Sequence, residues 1–316
     1  MRNIDWEAIE TKWGGMKLEV PEEVKNLYEN DIDCYPSEDN LFTAFFNCSF
    51  DKVRVVIIGQ DPYPGEGEAD GMAFSMKTLK KKDNPKNSIE HYIIPRLKKV
   101  YPEGEYSDDC GDLSKWATQG VLLLNSALSY VPSNVIKKRI KKKNKELDST
   151  NKRMEKFQKI KSNQQEVLNL KKTNTKKYQE AKKKETNAET QISKCKIEID
   201  KLEADIADLK NKKEKCEKLK KEGNPWKELI SKVLVKINGI SDRKICFLLW
   251  GGNAEKIFNN AVEKPNHIVL TCAHPSPKAK GANFPFAKNH HFTTVNLIQS
   301  LQNEEEIDWS IPGPKK

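Results

Sequence analysis

At 316 residues, the chain is long enough for one large domain or two modest ones with a sizeable core. Its 36% hydrophobic and 32% charged residues are a low and a high fraction for a purely globular protein, which indicates a folded part joined to a strongly charged part. No apolar run approaches the ~20 residues of a membrane span, and residues 1–13 lack the pattern of a signal peptide. We therefore expect a protein that is neither membrane-bound nor secreted.

The cysteines and the charge narrow the class further. The seven cysteines show no CxxC pair and no even framework, so free thiols in a reducing compartment are expected, without a zinc site. The formal charge of +10 favours an anionic partner such as nucleic acid. Residues 137–222 carry 29 Lys/Arg and 15 Asp/Glu, whereas the remainder carries 27 and 31, so the basic character belongs to the middle segment.

Two continuous apolar runs in the first half of the chain predict buried strands. Residues 53–58 form the first run, which Gln60 and Asp61 follow, and residues 121–124 form the second, which Asn125 follows. Runs without polar alternation are typical of strands that are buried on both faces of a parallel sheet.

The middle segment, residues 137–222, contains no Gly and no Pro and predicts a helical hairpin. Apolar positions in its second half step by three and four residues, which is the heptad seam of a coiled coil. They are Ile192, Cys195, Ile199, Leu202, Ile206 and Leu209. The polar stretch 171–189, with Thr173-Asn174-Thr175, is the natural place for the turn. Two helices of ~40 residues would form an antiparallel arm ~60 Å long; a disordered lysine-rich linker is the alternative.

Two further apolar runs, residues 245–250 and 267–271, complete the predicted sheet, and His274 comes shortly after the second. Helix-length segments separate the runs, as in a parallel sheet, where ligands bind beyond the carboxyl ends of the strands. The polar residues after the runs should therefore lie at one rim. The sequence predicts a three-layer α/β/α domain with a central four-stranded, mainly parallel sheet and an inserted antiparallel helical hairpin.

Three stretches of sequence around these strand ends resemble motifs of family 1 uracil-DNA glycosylases. Gly59-Gln60-Asp61-Pro62-Tyr63-Pro64-Gly65, continuing to Ala69-Asp70-Gly71-Met72-Ala73-Phe74-Ser75, is similar to the family's water-activating motif. Residues 120–125 resemble the uracil-recognition strand, and His274-Pro275-Ser276-Pro277 resembles the DNA-intercalation loop. The resemblance implies hydrolytic release of uracil from DNA for base excision repair, leaving an abasic site, with no metal or organic cofactor.

The resemblance covers roughly residues 35–309 except the arm. It implies that residues 1–136 and 223–316 form the glycosylase domain, into which residues 137–222 are inserted as a basic coiled-coil arm. Such an enzyme would work in the nucleus of a eukaryote, or in the cytoplasm of a bacterium or of a virus-infected host cell.

Carried over to this sequence, the family's chemistry assigns two catalytic roles. Asp61 would position the attacking water and, as a carboxylate, stabilise the positive charge that develops on the sugar. His274 would donate to uracil O2 while negative charge develops on the departing base, and a neutral imidazole would suffice. The blander alternatives are an Asp61 that only bonds turn amides before Pro62 and a His274 that is an ordinary loop residue.

Four residues match the family's uracil-binding positions. Tyr63 would stand against uracil C5 and clash with a thymine methyl group, because an apolar slot alone distinguishes one methylene by only ~1–3 kcal/mol. The Asn125 amide would pair with uracil O4 and N3, which excludes cytosine. Phe74 would stack on the base, and the Gln60 backbone amide would reach O2. Taken singly, Tyr63 and Phe74 fit core aromatics equally well.

The DNA-facing loops depart from the family pattern. Ser88 and Ser276 could each bond a phosphate, although either fits an ordinary loop serine. Lys278 stands where the family has a leucine that enters the base stack, and the loop is about two residues longer. Either the wedge is weak in this chain, or Phe284 or Phe286 serves instead. Pro64 replaces the usual histidine, which removes a possible phosphate contact.

Two alternative functions and two roles of the arm are open at this point. The chain could be a catalytically weak DNA-binding or processivity subunit that keeps the fold, or a mismatch-specific thymine/uracil glycosylase. The expected partner is uracil-containing DNA, double- or single-stranded, and the arm would either add phosphate contacts or recruit a protein partner or a second copy of the chain. A basic run near its start, residues 136–143, also fits a nuclear localisation signal, with a solvated helix face as the blander interpretation.

Overall fold

The structure is a computed structural model that describes residues 4–29, 34–79, 87–131, 133–169, 176–276, 279 and 285–313. The chain divides into two compact units. The first consists of Met1–Pro132 together with Glu222–Lys316, and the second is Ser133–Lys221.

The first unit contains the strands and all the short helices. Its four strands are β1 (Val55–Gly59), β2 (Val121–Asn125), β3 (Cys246–Trp250) and β4 (Ile268–Cys272). Its helices before the second unit are α1 (Trp6–Lys12), α2 (Glu22–Glu29), α3 (Thr43–Asn47), α4 (Ile94–Val100, after a π-helical turn Ile89–Ile93) and α5 (Ser114–Thr118). The two long helices α6 (Ser133–Leu168) and α7 (Lys176–Glu222) follow, and then come α8 (Lys227–Asn238), α9 (Gly252–Ala261) and α10 (His291–Leu301). Short 3₁₀ turns lie at Glu38–Asn40, Phe50–Lys52 and Phe286–Lys288.

The four strands form one parallel sheet in the order β2-β1-β3-β4. Each strand lies within one or two residues of its predicted apolar run. All residues of β1, β2 and β3 are buried. Successive side chains of a strand point to opposite faces, so both faces of the sheet must be covered. The predicted three-layer α/β/α fold with a parallel four-stranded sheet is therefore confirmed.

Aromatic packing fixes the end of β3 and the C-terminal segment in the core. Trp250, the last residue of β3, packs against Phe286 and Phe292 at ring-centroid distances of 5.0 and 6.0 Å. Phe292 and Trp116 both contact Trp309 at 5.0 Å. Such offset and edge-to-face pairs bury large apolar areas. The cluster therefore holds the start of α10 and the chain end against β3.

The second unit is an antiparallel pair of long helices, as the predicted hairpin requires. Three ion pairs join the two helices, namely Lys143–Asp205, Arg153–Glu198 and Lys161–Glu189. As residue numbers rise along α6 they fall along α7, which is the order of an antiparallel pair. Of the predicted heptad positions of α7, Cys195, Leu202 and Ile206 are buried, and Cys216 further along the helix is buried as well. The predicted turn residues Thr173-Asn174-Thr175 lie outside the described residues.

Two further findings concern the described part of the chain as a whole. None of its helices is long and apolar enough to cross a membrane. All seven cysteines lie within it as buried free thiols.

Candidate active site

A cavity of about 150 Å³ opens at the carboxyl edge of the sheet, within the first unit. Seven of the residues that the sequence singled out line it: Gln60, Asp61, Tyr63, Phe74, Ser88, Asn125 and His274. Known apolar cavities of about this size hold a single six-membered ring. The structure thus brings together the predicted catalytic and base-binding residues around a space the size of a pyrimidine.

The neighbouring ends of β1 and β2 form the floor of this cavity. Gly59 is paired with Asn125 in the sheet, and a Cβ atom at Gly59 would lie 2.3 Å from Asn125 Oδ1. Only glycine leaves room for this close approach. The Ser126 hydroxyl donates to the Gln60 carbonyl at 2.8 Å and the Ser126 amide donates to the Gly59 carbonyl at 3.0 Å. Asn125 is therefore held in a fixed place, 6% exposed, with its amide at the cavity.

The Asp61 carboxylate is oriented by a neighbouring amide. Gln60 Nε2 donates to Asp61 Oδ2 at 3.1 Å, while Gln60 Oε1 accepts from Asn253 Nδ2 at 2.7 Å. Asn253 lies in the first turn of α9, so this chain of bonds links the ends of β1 and β3. Asp61 itself is exposed, as a carboxylate that must contact water and a sugar would be.

Tyr63 and Phe74 form an aromatic wall. The Tyr63 hydroxyl donates to the Phe74 carbonyl at 3.5 Å. Burial is the largest cause that raises the pKa of Tyr63, so its hydroxyl stays protonated at neutral pH. Phe74 has a positive φ of 63°. This left-handed conformation costs a non-glycine residue about 1–2 kcal/mol, so other bonds must hold it.

His274 completes the cavity at the end of β4. Its ring lies 5.7 Å from the Phe74 ring, tilted by 45°. Gly251 has a φ of +98°, and a Cβ atom there would lie 2.8 Å from His274 Cβ, so glycine is required at this turn as well. Burial lowers the pKa of His274, which favours the neutral imidazole at neutral pH. A neutral ring can still donate one hydrogen bond to a developing oxyanion.

The structure describes some of the predicted DNA-facing residues and not others. Ser88 lines the cavity mouth, and the Ser276 amide donates to the His274 carbonyl at 2.8 Å. Lys278 and Phe284 lie outside the described residues. Phe286 is 4% exposed and packs edge-to-face on Trp250, so the prediction that it is an intercalating wedge is wrong for this structure. An apolar side chain that is already buried against the core has no free surface to offer a base stack.

Several residues near the cavity hold its lining residues in place, and the sequence did not indicate this role. Asn253 holds Gln60, and Ser126 holds the β1 end; both stood in polar stretches directly after predicted strands, which was the available signal. Asp70 and Ser75, which stand on either side of Phe74 in the sequence, form a buried hydrogen-bonded pair at 2.5 Å. Their position inside the recognised motif was visible, but their burial and pairing were not. Within the described ranges, no group of three or more His, Cys, Asp or Glu side chains is arranged to hold a metal ion.

The chain is similar in sequence and in fold to uracil-DNA glycosylases. No family model matches the chain. The uracil-DNA glycosylase of Campylobacter fetus is 29% identical over 301 residues, which cover 93% of this chain and 86% of that protein. The uracil-DNA glycosylase of human herpesvirus 6A is 28% identical over 300 residues, which cover 93% and 82% of the two chains. The crystal structure of mimivirus uracil-DNA glycosylase matches the fold with a TM-score of 0.51, at 18% identity, over 92% of this chain and 79% of that one.

The chain has the α/β fold of the mimivirus enzyme, and its sequence is similar to those of uracil-DNA glycosylases over more than nine-tenths of its length. The resemblance indicated by the motifs is thereby confirmed.

Proposed function

We propose that this chain is a uracil-DNA glycosylase, which hydrolyses the N-glycosidic bond of a flipped-out deoxyuridine, releases free uracil and leaves an abasic site for base excision repair. The observation that carries this proposal is the single cavity in which Asp61, Asn125 and His274 meet. A target base within a duplex is out of reach of such a cavity, so the enzyme must extrude it from the stack.

In the proposed mechanism, the two ends of the scissile bond are stabilised separately. The Asp61 carboxylate, fixed by the Gln60 amide at 3.1 Å, holds the attacking water and faces the cationic sugar. The neutral His274 donates to uracil O2 as negative charge develops on the base. Because both interactions strengthen as charge separates, they act mainly on the transition state.

Base selection uses the walls and the floor of the cavity. The Asn125 amide presents a donor and an acceptor that match uracil O4 and N3–H, and this pattern is reversed in cytosine. The Tyr63 ring, tethered through its hydroxyl to the Phe74 carbonyl, stands where a thymine methyl group would have to fit. Phe74 stacks on the ring of the base, and the backbone amide of Gln60 reaches O2.

A gel assay tests this function directly. Oligonucleotides that carry one uracil, thymine or cytosine are incubated with the protein and then treated with alkali, which cleaves the strand at abasic sites. We expect strand cleavage of the uracil substrate alone, on single- and double-stranded DNA. Binding without cleavage would instead support a DNA-binding or processivity subunit. Cleavage at the thymine of a T·G mismatch would support a thymine/uracil glycosylase.

We further propose that the lysine-rich arm adds non-specific phosphate contacts. The described first stretch of α6 supports this role, because residues 137–145 contain seven Lys or Arg and no acidic residue. Lys138, Lys141, Lys142 and Lys145 are exposed there. By contrast, several acidic residues of α7 pair with basic residues of α6, as in Lys143–Asp205. The remainder of the chain is net negative, so a basic arm would offset its repulsion from DNA. This role fits work in a nucleus or in a DNA-containing cytoplasm.

Salt titration tests the arm. Replacing Lys138, Lys141, Lys142 and Lys145 by Gln should flatten the slope of log affinity against log salt concentration by up to about 0.9 per lost duplex contact. Cleavage at saturating DNA should stay unchanged. The same measurement on a variant with residues 137–222 replaced by a Gly/Ser linker, together with its mass in solution, tests the rival role. An unchanged slope would contradict the DNA contact, and a dimer that becomes a monomer would support self-association.

A further inference from the structure

Asp70 is a buried carboxylate that the proposed chemistry does not use. It is 5% exposed, and it lies in the loop between β1 and the base-stacking residue Phe74. A buried carboxylate is costly unless it is hydrogen-bonded, so its partners indicate what it does.

The partners of Asp70 form a clamp around one turn of backbone. Asp70 Oδ1 accepts from the Met72 amide at 3.1 Å, and Oδ2 accepts from the Ser75 hydroxyl at 2.5 Å. The Ser75 oxygen in turn accepts from the Leu113 amide at 3.0 Å. Bonds to an ionised acceptor are the shorter and stronger kind. The clamp therefore ties both ends of the segment 72–75 to Asp70 and to the segment before α5.

Phe74 lies inside this clamped segment in its left-handed conformation. A phenylalanine does not adopt a φ of +63° without support, because its Cβ crowds the backbone there. The neighbouring bond from the Ala73 amide to the Leu123 carbonyl, at 3.0 Å, fixes the other side of the turn to β2. The direction of the Phe74 ring thus depends on Asp70 and Ser75.

We propose that Asp70 is a positioning residue: its ionised carboxylate, acting through Ser75, holds Phe74 in the strained conformation that forms the stacking platform for the base. The identity of the base rests on the proposed function, whereas the clamp does not. The platform stacks on the base in the bound state and in the transition state alike. It therefore contributes to uniform binding of the base rather than to the chemical step.

The surroundings of Asp70 make the clamp sensitive to pH. Burial is the largest cause that raises the pKa of Asp70 to about 6, the charge of Asp112 adds to it, and the bonds from Ser75 and Met72 oppose it. Tyr63 also faces Asp70 and is uncharged at neutral pH. Protonation removes the charge of Asp70 and places a proton on one of the two oxygens that accept from the Met72 amide and the Ser75 hydroxyl, so at least one of these bonds is weakened. The clamp should therefore loosen as the pH falls below about 6.

The test compares Asp70→Asn with Glu68→Gln. Glu68 is a carboxylate of the same loop that is 3% exposed, and it accepts a hydrogen bond from the Gly65 amide at 3.1 Å. At pH 7.5, with a single-stranded uracil oligonucleotide, Asp70→Asn should raise KM about tenfold, within the range of an aromatic stack on a base. The inhibition constant of free uracil should rise by the same factor, with kcat changed much less. Glu68→Gln should leave both constants near the wild-type values.

Three readouts separate positioning from a loss of folded protein. Partial unfolding reduces the fraction of active enzyme and so lowers the apparent kcat, but it leaves KM and the uracil inhibition constant unchanged. Ser75→Ala cuts the clamp without changing charge and should reproduce the rise in both constants. The wild-type KM should rise below pH 6, and this rise should be absent in Asp70→Asn. Wild-type KM and pH profile in Asp70→Asn, or a loss confined to kcat, would overturn the proposal. Absence of wild-type cleavage would instead contradict the proposed function.

Discussion

The burial of Phe286 yields a prediction that separates a core residue from a DNA wedge. In Phe286→Ala, the lost side chain is 4% exposed and packs on Trp250 at 5.0 Å. Truncation of a buried phenylalanine costs about 3–5 kcal/mol. For a domain of 150–250 residues, each kcal/mol corresponds to about 2–4 °C in Tm. We therefore expect a Tm lower by roughly 6–20 °C, with the ratio of double- to single-stranded cleavage rates unchanged at 25 °C.

Thermal unfolding by circular dichroism and paired cleavage assays measure both quantities on the same protein. Leu301→Ala, at a position 75% exposed, serves as the control and should change neither. Phe284→Ala is measured in the same assays, because Phe284 is the other aromatic candidate for the wedge. A selective loss of double-stranded cleavage in Phe286→Ala without a fall in Tm would refute the reasoning from burial.

The base-binding walls and the buried carboxylate give two further predictions. Tyr63→Ala should release thymine and Asn125→Asp should release cytosine, measured as alkali-labile sites in matched oligonucleotides; strict uracil specificity in both would contradict the cavity assignment. Asp70 has a folded pKa of about 6 against a usual 3.8, so the stability it contributes is present below about pH 4 and is lost as the pH rises through 6. Wild type should therefore lose up to about 3 kcal/mol of stability between pH 4 and pH 7.5, at 1.36 kcal/mol per pKa unit, and Asp70→Asn should not, so the denaturant midpoint of the variant should rise relative to that of wild type over this pH range. Equal differences at both pH values would contradict the assignment of this pH dependence to Asp70.

The sheet and the arm could be predicted because their signals are local. An apolar run without alternation, such as residues 121–124, specifies a strand with both faces buried wherever its neighbours lie. The heptad seam through Leu202 and Ile206 likewise specifies one inward face of a long helix. The shared location of the polar residues directly after the strands could also be predicted, because the carboxyl ends of parallel strands lie at one edge of the sheet.

The parts that could not be predicted depend on contacts between distant segments. The exposure of Phe286 is decided by Trp250, which is 36 residues earlier in the chain, and no periodicity around Phe286 reports that contact. The bond between Asn253 and Gln60 joins residues on two different strand ends. The left-handed Phe74 is held by Asp70 and Ser75, although aromatic residues ordinarily avoid this conformation. Local preference gives no sign of an exception that tertiary structure imposes.

The most direct test of the proposed chemistry is the single-turnover rate of uracil release by Asp61→Asn, measured beside its affinity for a uracil-containing oligonucleotide. The exchange keeps the shape of the side chain and the bond partner of Gln60 in place while it removes the negative charge. If Asp61 acts on the cationic transition state, release should slow by orders of magnitude and affinity should stay close to that of the wild type. A near-normal rate of release would contradict the assignment of Asp61 as the catalytic carboxylate.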